Sequence, residues 1–196
     1  MVKAAPGDDL IALRNKAFAS FRTQCRGKQD ILECSDVGPL GMEDGRIPDA
    51  SITVSSMWRN WAHFGPTRAR LNLEATRGSA AWCNYRDPNP WVQVDLGSVI
   101  ITDVITQGRG DYIYGNFDQW VTDFKVAFSD DGVDWTDVTN DGSCSPMKFP
   151  GNSDRNTHVT TTFPKAFQAR FLRILPTRCH GHCCMRFEVL GCTIKE

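Results

Sequence analysis

Residues 179–192 read Cys-His-Gly-His-Cys-Cys-Met-Arg-Phe-Glu-Val-Leu-Gly-Cys and hold four of the eight cysteines and two of the four histidines. Two chemistries compete for them. Thiolates at Cys179 and Cys183 with imidazoles at His180 and His182 have the ligand types of a zinc site, which needs deprotonated thiols and a reducing compartment. The same residues could instead be a loop and a last strand fastened by disulfides. Cysteines at 25, 34, 83, 144, 179, 183, 184 and 192 are even in number, spread along the chain and free of any CxxC pair. That usage points to an oxidising compartment. On a strand, Cys183, Met185, Phe187 and Val189 share one face, and Cys184, Arg186 and Glu188 the other. The adjacent cysteines then point apart, which weakens the metal reading.

Other reactive constellations are weak. No Gly-x-Ser-x-Gly elbow accompanies the many serines and aspartates, and Gly108-x-Gly110 opens no helix that could cradle a phosphate. Catalysis is not expected. Arg109-Gly110-Asp111 spells the integrin tripeptide. Arg109 by itself suits carboxylate, phosphate or sugar hydroxyls as a binding-site cation.

The elements that must position these residues are mostly strands. Trp91–Leu96 alternates, Val99–Thr106 is β-branched, and Phe124, Val126 and Phe128 alternate with more polar neighbours before an Asp130-Asp131-Gly132 turn. Val159–Phe163, Phe171–Leu175 and Cys184–Leu190 complete a set of short, evenly spaced strands, the texture of an all-β sandwich or barrel. Residues 8–26 differ. Asp8 and Asp9 precede Leu10, Leu13, Ala17 and Phe21 near one helical face, and Gly27 is a stop.

The 196 residues carry a net charge of −1 and no run of basic residues, so no nucleic-acid partner is expected. No apolar stretch is long enough to span a bilayer as a helix. The N-terminus lacks an apolar signal core, so the cysteine usage implies an extracellular or secreted chain whose signal has been removed or replaced. No Asn-x-Ser/Thr sequon is present, and N-glycosylation is not expected.

From Cys34 onward the chain carries an ordered series of phrases. They are Pro39-Leu40-Gly41-Met42-Glu43-Asp44-Gly45-Arg46-Ile47, Ile52-Thr53-Val54-Ser55-Ser56, Arg68-Ala69-Arg70-Leu71-Asn72 and Ala81-Trp82-Cys83. Then come Trp91-Val92-Gln93-Val94-Asp95-Leu96-Gly97, Thr106-Gln107-Gly108-Arg109-Gly110, Trp120-Val121-Thr122 and Phe149-Pro150-Gly151-Asn152. Ala169-Arg170-Phe171-Leu172-Arg173-Ile174 and Met185–Cys192 close the series. In this order they resemble a discoidin domain, the coagulation factor V/VIII type C module.

The resemblance implies a discoidin-like β-sandwich or distorted jelly-roll barrel with projecting spike loops over 34–192. A short helical arm over 1–33 and a tail over 193–196 lie outside it. It also implies a Cys34–Cys192 bridge across the domain ends and a second bridge, Cys83–Cys184. Similar domains carry histidines where His180 and His182 stand. Cys179 and Cys183 replace a tryptophan and an aliphatic residue, as an added local bridge would. Whether those two pair with each other, or with Cys25 and Cys144, stays open. Cys25 could also link chains into a disulfide-bonded homo-oligomer.

The spike loops implied by the family are residues 57–66 and 111–117, both rich in aromatic and apolar side chains. The expected ligand-binding residues are Trp58, Trp61, Phe64, Arg109, Asp111, Tyr112, Ile113, Tyr114 and His180, with Trp58 or Trp61 alternatively folding back as a core plug. Some similar domains hold calcium, for which Asp44, Asp49 and Glu188 are the candidates here; otherwise no cofactor is expected. The expected function is a non-enzymatic extracellular adhesion or recognition module for a protein or cell-surface glycan. Alternatives are peripheral phospholipid binding, a calcium-assisted lectin using Arg109, His63 or His180, and a disulfide-linked scaffold.

Overall fold

The computed structural model describes residues 32, 34–75, 78–111, 115, 117–140 and 144–194. The helix expected over 8–26, Cys25, Tyr112, Ile113, Tyr114 and the last two residues of the tail lie outside the described residues.

Among the described residues nine strands form the body: β1 (Gly38–Pro39), β2 (Ile52–Val54), β3 (Trp82–Cys83), β4 (Val92–Gln107), β5 (Trp120–Ser129), β6 (Thr136–Asp137), β7 (Phe149–Pro150), β8 (Val159–His180) and β9 (Cys184–Thr193). Every ladder between them is antiparallel. The order is β1-β9-β4-β8-β5-β6, with β2 also on β4, β3 on β9 and β7 on β5. The remaining regular pieces are single 3-10 turns at Asp49–Ser51, Trp58–Asn60, Ala62–Phe64 and Pro66–Ala69. The chain is an all-β sandwich, as its texture and its resemblance both imply.

Two pairs of expected strands are each one continuous strand. Gly97 does not end β4. It takes φ +68° inside a register shift between Asp95 and Val99, and a second shift follows between Ile101 and Asp103. Such bulges bend a strand without ending it. β8 runs beside it, pairing through 167–174 and again through 159–162, so both long strands wrap one core. Trp82, Phe124, Phe187, Met42, Leu172 and Ile174 fill that core. The Trp82 indole N–H donates to the carbonyl of Ser56 at 2.9 Å, which satisfies the one polar atom it buries.

β9 is buried on both faces. Met185, Phe187 and Val189 enter the core. On the other face the Arg186 guanidinium donates to the carbonyls of Gly108, Leu73 and Arg155 and to Asn156 Oδ1. Burial pulls the Arg186 pKa down to about 10, opposed by the negative charge of Asp111. The Glu188 carboxylate accepts backbone N–H groups from Gly41, Met42, Glu43 and Val189. The calcium candidates therefore do not converge. Glu188 is occupied by backbone amides, Asp44 pairs with Arg46, and Asp49 pairs with Arg70. No group of three or more His, Cys, Asp or Glu residues is placed to hold a metal among the described residues.

Cys34–Cys192 and Cys83–Cys184 are bonded as the resemblance implies. The open question resolves in favour of a local bridge, Cys179–Cys183, which removes both thiolates from any zinc site. Cys144 is also disulfide-bonded, and no described cysteine is free. The alternating faces of β9 explain the Cys183-Cys184 pair. One side chain reaches back to β8 and the other reaches β3.

Candidate functional site: an aromatic loop pole

Antiparallel register gathers five strand ends at one pole. Gln107 at the end of β4 lies opposite Arg186, Trp120 at the start of β5 opposite His180, and Cys83 opposite Cys184. The segments leaving these ends form the candidate surface.

The first loop is a chain of 3-10 turns. Trp61 N–H donates to the Trp58 carbonyl and Phe64 N–H to the Trp61 carbonyl, each at 2.9 Å. Arg59 and Asn60 take φ of 50° and 56°, a left-handed conformation that is uncommon for residues with a Cβ. Trp58 is the core plug. It packs with Phe64 on the Cys83–Cys184 bridge and Ala81, with ring centroids 5.0 Å from Tyr85 and 4.8 Å from His182 in edge geometry. Trp61 turns outward and is 51% exposed. The exposed Arg59 guanidinium lies 5.8 Å from the Trp58 ring and 5.5 Å from the Trp61 ring, within cation–π range of both.

The second loop starts where Gly108 and Gly110 allow close backbone approach. A Cβ at Gly108 would stand 2.6 Å from the Asp154 carbonyl oxygen, and one at Gly110 would stand 2.8 Å from Arg186 Nη1. Arg109, expected as an exposed binding cation, is instead only 6% exposed. Its Nη1 donates to Gln119 Oε1 at 2.6 Å, and its guanidinium lies between the Phe64 and Phe117 rings, at 5.4 and 4.4 Å. It clamps the two loops together. Asp111 points the other way, in an ion pair with Arg155 at 3.0 Å. The Arg109-Gly110-Asp111 tripeptide is thus split between interior and surface and does not present the linked charge pair of an integrin ligand. Phe117 is 44% exposed and stands at the rim with Trp61.

The third piece is the β8–β9 turn. Gly181 takes φ +65°, and a Cβ there would meet the Asp118 carbonyl oxygen at 2.7 Å, so the turn sits flush on the second loop. His180 is exposed and stacks on Trp120, with centroids 4.3 Å apart and planes 10° off parallel. His182 bonds the Asn84 carbonyl through Nε2 at 2.5 Å, and the Cys179–Cys183 bridge closes the turn.

Of the expected binding residues, Trp58, Trp61, Phe64, Arg109 and His180 gather at this pole, and Asp111 lies beside it. Tyr112, Ile113 and Tyr114 lie outside the described residues. Arg59 and Phe117 fall within the expected spike loops but not among the named contacts, and Trp120 and Tyr85 are contacts the sequence did not single out. Phe117 sits inside the aromatic loop, and its spacing was a usable signal. The Trp120–His180 stack arises only from cross-strand register between distant segments. The pole offers a flat indole, a phenyl ring, an imidazole and the Arg59 guanidinium, and Arg86 lies 5.2 Å from the ring of Tyr85, which packs on Trp58. This set suits stacking on an apolar face with hydrogen bonds at its edge.

The profile of the F5/8 type C domain matches residues 51–189. Lactadherin of Sus scrofa is 39% identical over 176 residues, covering 86% of this chain and 42% of the relative, so the chain spans about two fifths of that protein. Discoidin II from Dictyostelium discoideum is 30% identical and superposes with a TM-score of 0.62 over 74% of this chain and 55% of that one. The family 32 carbohydrate-binding module from Clostridium perfringens NanJ, solved in complex with galactose, shares the fold. It has a TM-score of 0.53 and 16% identity over 80% of this chain and 100% of that one.

Proposed function

Since this chain belongs to the F5/8 type C, or discoidin, domain family, we propose that it is a non-enzymatic extracellular recognition module whose loop pole binds a protein or cell-surface glycan. The domain proper is taken as residues 34–192. The observation that carries the reading is the exposure of Trp61 and Phe117 at the rim of a pole otherwise fixed by internal contacts. Trp61 stands in solvent on a loop whose Trp58 and Phe64 pack on the Cys83–Cys184 bridge and whose Phe64 meets Arg109, so its contact with a ligand loses little loop entropy. Trp61, Phe117 and His180 are assigned as contact residues. Trp58, Phe64 and Arg109 are assigned to holding the loops in place.

Galactose in the complex of the NanJ module supports a glycan as one ligand class for this scaffold. Three disulfides among the described residues support an oxidising, extracellular setting.

The test is a Trp61→Ala/Phe117→Ala variant screened with the wild type on a glycan array, on extracellular-matrix proteins and by phosphatidylserine vesicle sedimentation. Loss of an array or protein signal with unchanged thermal unfolding supports the proposal. Unchanged binding by the variant would sink it. Binding to vesicles alone would replace it with peripheral membrane attachment through the same apolar rim.

A further inference from the structure

Trp58-Arg59-Asn60-Trp61 is a Trp-x-x-Trp unit, and no other tryptophan of the chain has tryptophan three residues later. We propose that Trp58 is a C-mannosylation site, its indole C2 carrying a carbon-linked mannose. Transferases of the secretory lumen modify the first tryptophan of such units, so the proposal rests on the extracellular reading above.

The local structure fits a unit recognised as a whole. The Trp58–Asn60 turn is closed by the Trp61 N–H on the Trp58 carbonyl, with Arg59 and Asn60 at positive φ, so the four residues form one hydrogen-bonded turn in which Trp58 packs inward and Trp61 faces outward. The Arg59 guanidinium lies within cation–π range of both rings, at 5.8 and 5.5 Å, and so touches each end of the turn. Trp58 is only half-buried, held by edge contacts with Tyr85 and His182. Part of its surface is therefore open to a substituent. The fully enclosed Trp82 has no such room.

The step is a substitution without redox change. A mannose carried on a lipid phosphate is the donor. The indole C2–C3 π electrons attack the anomeric carbon, and the anomeric C–O bond breaks. The lipid phosphate leaves with that electron pair. Loss of the C2 proton to a base of the transferase restores aromaticity. The sugar would add hydroxyl groups to the first loop, beside Arg59 and Asn60.

The full chain is secreted from mammalian cells behind a cleavable signal, reduced, digested with Asp-N and sequenced by mass spectrometry across residues 49–86. One added hexose is expected on Trp58, resistant to glycosidases and fragmenting across the sugar ring. It should be absent from Trp61→Ala and from cells lacking the C-mannosyltransferases. An unmodified Trp58 in secreted, fully disulfide-bonded protein, while another Trp-x-x-Trp acceptor from the same cells is modified, overturns the proposal. So does a hexose lost intact, which marks an oxygen link. Modified protein that binds nothing on the arrays would sink the recognition reading and leave the modification standing.

Discussion

Trp58 and Trp61 are three residues apart, and substitution should separate their roles. Trp61→Ala removes an exposed ring, so unfolding should shift by less than about 0.5 kcal/mol. Affinity for the ligand should fall about tenfold or more, as for a rim hot spot. Trp58→Ala opens a half-buried plug over the Cys83–Cys184 bridge and should cost about 2–3 kcal/mol, read from denaturant midpoints. Glu188→Gln turns a carboxylate receiving backbone N–H groups into an amide that accepts at only one of its two polar atoms. A loss of about 2 kcal/mol is expected from the same measurement.

Asp95 gives a pH signature. The side-chain hydrogen bond from Arg170, helped by the Gly97 N–H, holds its pKa below the ordinary 3.8. A depressed folded pKa means the contribution is fully present above 3.8 and is lost as pH falls through the lower folded value. Thermal unfolding of Asp95→Asn should therefore trail the wild type at neutral pH, and the difference should shrink only below pH 3.8.

At the scale of elements, the three described disulfides should differ by the loops they close. In the chain-entropy model, losing Cys34–Cys192, at separation 158, costs about 5 kcal/mol, and losing Cys179–Cys183, at separation 4, costs about 2 kcal/mol. Paired Cys→Ala variants compared by chemical denaturation test this order. The Cys179→Ala/Cys183→Ala variant should also bind more weakly than its stability loss explains, because the Gly181 turn braces the second loop.

Strand texture and the aromatic character of the loops were legible in the sequence itself, and the two long-range bridges only through the family resemblance. The boundaries were not. Gly97 has the signature of a strand end, but its positive φ was used for a bulge, a choice made by pairing with β8. Arg109 departs from its expected exposure for a related reason. Cations are ordinarily exposed, and only the three-dimensional meeting of Phe64, Phe117 and Gln119 makes a place to bury one. Which of Trp58 and Trp61 would plug the core was undecidable for the same reason. The Cys83–Cys184 bridge that receives the plug unites segments 101 residues apart.

For the whole molecule, the loop pole proposed for binding and the Cys34–Cys192 clasp lie toward opposite ends of β9. Cys184 stands at the loop pole, and Cys192 is bonded to Cys34 eight residues further along the strand, roughly 26 Å away at the usual rise per residue. Stability should therefore respond to changes near Cys34–Cys192, and recognition to changes at the loop pole, with little cross-talk. Combining Trp61→Ala with Pro39→Ala should give additive effects on unfolding and leave the affinity loss unchanged. The Cys34–Cys192 clasp also sets how the domain can be mounted. A surface, bead or fused protein joined beside either cysteine attaches at the back, so the aromatic rim faces outward. Copies tethered this way would all point their rims the same direction, and weak single contacts could add up to firm attachment on a surface where the ligand is dense.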